Sequence, residues 1–137
     1  MTFLLNPRQM TFDFIVPDME PSEGVQKIAG FSRGWHHWNS VRLGIRKEND
    51  YCMLYAYVYR NGERIIERMG KVNIGDKINV ILEWEHYITV EANVLFNCFQ
   101  APFLSNPIGY QLGNYAEKDY TGKRIKFNCE IFNLKIK

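Results

Sequence analysis

The chain has 137 residues, 46% hydrophobic and 23% charged, with a formal net charge of +2. That length makes one domain, spanning 1–137, which can bury a core without disulfides or a metal, and the balance excludes disorder. A pI near 8.4 falls short of the clustered basicity that a nucleic-acid partner requires, and no run of 18 apolar residues is present to span a membrane.

The kind of apolar residue sets the fold class. Ile and Val together number 21 and the aromatics 20, against 14 for Ala and Leu. Branched and ring-bearing side chains suit a pleated surface, whereas Ala and Leu suit helices. The first ten residues hold an apolar stretch of three that ends at Asn6-Pro7, too short for a signal peptide. With Met1 as the natural start, the expectation is a protein made and kept in a cytosol, or released by another route. Loss of a leader ahead of Met1 would leave the same sequence.

Alternation then marks the strands in chain order. Residues 11–16 set Phe12, Phe14 and Val16 against Thr11, Asp13 and Ile15, and Pro17 ends the run. A short helical turn is expected around 20–25, then a short strand at 26–32 around Ile28 and Phe31. Residues 40–46 point Val41, Leu43 and Ile45 one way and Arg42, Gly44 and Arg46 the other. Residues 52–60 read as a central strand, with Cys52, Leu54, Ala56 and Val58 in the core and Tyr55, Tyr57 and Tyr59 on the opposite face.

Asn61-Gly62 tolerates the positive φ angles of a type I′ turn and joins that strand to a partner at 63–69. Gly75-Asp76 makes a second turn, after which 77–84 directs Ile78, Val80, Leu82 and Trp84 inward. Strands follow at 87–92, 94–99, 110–112, 123–127 and 130–136, the last with Phe132, Leu134 and Ile136 on one side. Residues 101–107 read as a loop. The stretch 22–101 contains no proline, as interior strands require. Cys52, Cys98 and Cys129 are odd in number and lack C-x-x-C spacing, so reduced thiols filling the core are expected. Nine to eleven strands in one short chain predict an all-β, two-sheet antiparallel β-sandwich.

The layout resembles the concanavalin A-like jelly roll of lectins and laminin-G domains. The likeness rests on residues 39–46, the strand 54–59 with its hairpin, 75–82, and the closing segment 131–136. In that family the closing strand pairs back near the amino terminus. The resemblance covers most of the chain through strand order and hydrophobic spacing.

Several residue sets carry candidate chemistry. Arg33-Gly34-Trp35-His36-His37-Trp38-Asn39 places two indoles, two imidazoles and an amide in a Gly-flanked turn. Aromatic faces stack on sugar rings, and Asn, His and Arg hydrogen-bond to hydroxyls. The alternative is a core plug, an edge indole and solvated histidines. The Tyr55, Tyr57, Tyr59 stripe suits a glycan-lined concave face, a protein interface or a sheet face under a loop. Trp35, His37, Trp38, Asn39, Arg42, Tyr55, Tyr57 and Tyr59 therefore form the candidate ligand-binding set.

No catalytic set, metal site or cofactor is expected. Adjacent His36 and His37 would point to opposite faces of a strand and rarely share a metal. Glu83 and Glu85 lie on one strand face, but the Glu-x-Asp-x-x-Glu pattern of jelly-roll glucanases fails at Glu85 and Ile88. Tyr110-Gln111-Leu112-Gly113-Asn114-Tyr115 resembles the Gly-x-Tyr strand of jelly-roll alginate and glucuronan lyases, which would give Tyr115 a role in proton transfer. Gln111 stands where a lysine is usual, the Gln-Ile/Val-His strand is missing, and Arg42 and Arg46 represent the arginine-rich strand without its acid. The leading expectation is thus a non-enzymatic binding or assembly module, such as a phage virion component partnered by other protein subunits. The alternatives are a carbohydrate-binding module with a glycan partner, and a polysaccharide lyase or glycoside hydrolase.

Overall fold

A computed structural model describes residues 2–85, 87–92, 95–100, 108–113 and 127–137. Eleven strands are described: β1 (Phe3–Leu5), β2 (Gln9–Ile15), β3 (Gln26–Arg33), β4 (Ser40–Glu48), β5 (Tyr51–Arg60), β6 (Glu63–Val72), β7 (Lys77–Trp84), β8 (Tyr87–Ala92), β9 (Leu95–Gln100), β10 (Ile108–Leu112) and β11 (Ile131–Ile136). They form two antiparallel sheets, ordered β1-β10-β3-β4-β5-β6 and β11-β2-β7-β8-β9. The protein is a jelly-roll β-sandwich.

Period-two alternation decides what lies between the sheets. Phe12, Phe14, Ile78, Val80, Leu82, Trp84, Ile88 and Val90 of the five-stranded sheet meet Ile28, Phe31, Val41, Leu43, Ile45, Leu54 and Val58 of the six-stranded one. Each such side chain contributes roughly 1.5–3 kcal/mol on full burial. Asn61 and Gly62 take φ of 51° and 83°, the left-handed pair of a tight hairpin, and Gly75 takes 92° in the second turn. Cys52 and Cys129 are buried free thiols.

Two expectations need correction, at 20–25 and in the closing strand, and one edge strand is added. Residues 20–25 form no helix; Pro21 bridges Lys47 in parallel, and Pro cannot donate to complete a helical turn there. The edge strand β1 was unforeseen because three residues are too few to show alternation. β11 does not alternate cleanly. A bulge between Phe132 and Lys135, with Asn133 at φ 55°, turns Phe132 outward beneath the Lys77 ammonium while Ile131 and Ile136 pack on the core. The expected strand at 123–127 falls outside the described residues except for Phe127, which is not in a strand. β11 does pair with β2, as the jelly-roll resemblance implied.

Candidate functional site on the outer face of the six-stranded sheet

Register alone builds the site. On the face turned away from the core, one row across the sheet runs Phe3, Tyr110, Ser32, Ser40, Tyr59, Arg64. The next runs Leu112, Gly30, Arg42, Tyr57, Ile66, and a third Lys27, Gly44, Tyr55, Arg68. Small residues on β3 and β4 leave room for large ones beside them. At Gly30 a Cβ would lie 2.1 Å from the Val41 carbonyl oxygen and 2.6 Å from Arg42 Cγ.

The floor is buried and cationic. Lys27 and Arg42 are 1% and 3% exposed. Lys27 Nζ donates to the Val25 carbonyl at 3.3 Å and stands 4.1 Å from the centre of the Tyr57 ring, a cation–π contact. The Arg64 guanidinium on exposed β6 is bonded to the Tyr57 hydroxyl, which holds its pKa above the ordinary value. Burial raises the Tyr59 hydroxyl pKa, and Tyr57 adds to the rise.

Over one end of this floor sits the turn 34–39. Short contacts pin it. Ser32 Oγ donates to the Gly34 carbonyl at 2.9 Å and Ser40 Oγ to the His36 carbonyl at 2.8 Å. The Trp38 and Asn39 amides both donate to the Trp35 carbonyl. The turn thereby holds two imidazoles over the sheet. The Tyr110 hydroxyl accepts the His36 amide at 3.0 Å and lies 2.5 Å from His36 Nδ1, with roles set by the imidazole tautomer. The result is an arc of rings, Tyr110–His36–His37–Tyr59–Tyr57, with successive centres 5.9, 4.2, 5.4 and 6.1 Å apart. Trp35, 63% exposed, stacks edge-on to His37 at 5.1 Å. Burial lowers the His36 pKa, and repulsion from His37 and Arg42 lowers it further.

The other end of the face is a carboxylate site. Glu48 accepts from Arg46 at 2.7 Å, Arg68 at 2.9 Å, Tyr55 at 3.1 Å and Tyr51 at 3.2 Å. These donors, Arg46 foremost, bring its pKa down to about 2 against the cost of desolvation.

The eight candidate residues thus divide. Trp35, His37, Arg42, Tyr57 and Tyr59 come together. Tyr55 shares the face, but its hydroxyl is committed to Glu48. Trp38 and Asn39 brace the turn against the β5–β6 hairpin: the Gly62 amide donates to the Trp38 carbonyl, and Asn39 Oδ1 accepts from the Asn61 amide at 3.0 Å. The sequence reading left His36, Tyr110, Lys27 and Arg64 out of the set. A signal existed for Arg64, because a two-residue Asn-Gly turn fixes Tyr59 opposite Arg64. None existed for Tyr110, which lies 74 positions from His36. Tyr115 lies outside the described residues.

No family model and no curated protein matches the chain. Among solved structures it is similar to an alginate lyase from Pseudomonas aeruginosa, with a TM-score of 0.68 and 11% identity over 96% of this chain and 64% of that one. An alginate lyase from Alteromonas sp. 272 gives 0.62 and 9%, covering 96% and 72%. The family 18 polysaccharide lyase aly-SJ02 gives 0.64 and 13%, also covering 96% and 72%. At these identities the likeness establishes the jelly-roll fold.

Proposed function

We propose that the outer face of the six-stranded sheet binds an acidic polysaccharide. The observation that carries this reading is the continuous ring arc from Tyr110 to Tyr57, flanked by Arg42, Arg64 and Lys27. Rings stack on pyranose faces, and guanidinium groups pair with uronate carboxylates. From β10 to β6 the face crosses five strands, about 19 Å at the usual strand spacing, enough for several sugar units. His37, Trp35, Tyr59 and Arg64 meet the chain of sugars; Arg42 and Lys27 supply positive potential from below. The naming of the structural neighbours as alginate and polysaccharide lyases supports a glycan partner. None of these neighbours supports a virion role or partner subunits.

Titration of the protein with alginate oligosaccharides, followed by tryptophan fluorescence, tests the reading. Trp35 and Trp38, 63% and 52% exposed, report on the rim. Saturable binding that weakens with added salt and falls at least about tenfold in Tyr59→Ala and Arg64→Ala is the expected result. Equal binding of neutral dextran, or none of either, refutes it.

One contact favours a second reading, cleavage of that glycan by β-elimination. The Tyr110 hydroxyl, held between the His36 amide and Nδ1, is placed to exchange protons through the imidazole. In such a step the base takes the C5 proton, the C4–O bond breaks, C4 and C5 become doubly bonded, and the leaving oxygen is protonated. Growth of unsaturated-uronate absorbance, lost in Tyr110→Phe while binding persists, would establish it. Binding without product leaves the module reading.

A further inference from the structure

The histidine pair asks for an account beyond stacking. His36 and His37 lie with ring centres 4.2 Å apart, and the backbone of the turn that carries them is fixed by Ser32, Ser40 and the Trp35 carbonyl. Among the described residues, the groups facing His36 are Tyr110 from β10, His37 from the turn and Arg42 from β4. Those facing His37 are Trp35 and His36 from the turn and Tyr59 from β5. Among the described residues no carboxylate is in either set, so in the free protein a proton on His36 is opposed by His37 and by Arg42. An anion laid across the pair reverses that balance.

We infer that His36 and His37 form an anion subsite in which His36 acquires a positive charge as ligand binds, so that the protein takes up a proton on binding an acidic glycan and holds it more tightly as pH falls. The inference rests on the proposed glycan face and names how that face is regulated. Tyr110 makes the change compatible with the fold. While His36 Nδ1 is an acceptor, the hydroxyl donates to it. Once Nδ1 is protonated, the same oxygen accepts both His36 donors on its two lone pairs, and its own proton turns toward the ligand.

The sign follows from linkage. The imidazole pKa of His36 is depressed in the free state and rises when a carboxylate arrives. Affinity therefore grows as pH falls through the bound-state pKa and levels off below the free-state pKa. Uronate carboxylates keep their charge throughout this range. Each unit by which binding raises one imidazole pKa gives up to about tenfold in affinity.

The test is calorimetric titration of the intact chain with alginate oligosaccharides at constant ionic strength, from about pH 5.5 to 7.5, in two buffers of different ionisation enthalpy. The expected result is about tenfold tighter binding at the acid end and net proton uptake near pH 6.5. The His36→Gln variant brings the acid-end affinity close to the neutral value. Histidine NMR signals of the unmutated protein give a check free of folding effects: the His36 imidazole pKa rises with oligosaccharide present. Binding that is equally strong across the range, without proton uptake or a pKa rise, overturns the inference and leaves the glycan face standing. Absence of binding at every pH overturns both.

Discussion

Gly30→Ala tests whether the architecture and the site are one construction. Gly30 pairs with Arg42 across β3 and β4, and its missing side chain is what lets the arginine lie over the sheet. An alanine Cβ would stand 2.1 Å from the Val41 carbonyl oxygen, 2.6 Å from Arg42 Cγ and 2.8 Å from Arg42 Cα. Ordinary contact requires more than about 3.2 Å, so the deficit is about 1 Å against backbone atoms held in a ladder. Rotation of the Arg42 side chain relieves one clash of the three. The strands must part, and overpacking of this kind costs about 1–3 kcal/mol, sometimes more. For a chain of this size that is a fall of roughly 3–12 °C in Tm. Thermal unfolding followed by circular dichroism measures it, with Gly113→Ala as control, since a Cβ there meets nothing within 4 Å. Glycan binding should fall in parallel, because Arg42 is displaced from the floor. A Gly30→Ala protein melting within about 1 °C of the parent would refute the reasoning.

Glu48 predicts an acid limb of stability. Its folded pKa of about 2 lies below the ordinary 4.5, so its contribution is complete above the ordinary value and is lost as pH falls toward 2. Urea unfolding at stepped pH should show stability declining through that window, and Glu48→Gln should flatten the decline. A slope unchanged by the substitution would show that other carboxylates cause it. The thiols of Cys52 and Cys129 should resist maleimide at pH 8 in the folded state and react in denaturant. Burial raises both, pushing Cys129 up to about 12, so little reactive thiolate is present. Mass spectrometry after labelling reads this directly, and rapid native labelling of either residue would contradict the buried placement.

Which side chains fill the core was legible in the chain, because strand alternation is local and is read within a few residues. Phe12, Phe14, Ile78, Leu82 and Trp84 lie inside as their spacing requires, and Asn61-Gly62 turns the chain by its own φ preferences. The same alternation placed Arg42, Tyr55, Tyr57 and Tyr59 on one outer face. It could not say which of them work together. Glu48 claims the Tyr55 hydroxyl, the Asn61 amide claims the Asn39 side-chain oxygen, and a bulge at Asn133 turns Phe132 outward. The meeting of His36 with Tyr110 arises because β10 pairs with β3 across most of the chain's length. Pairing between distant strands is settled by the closing of the whole sandwich, and no window of neighbouring residues contains it.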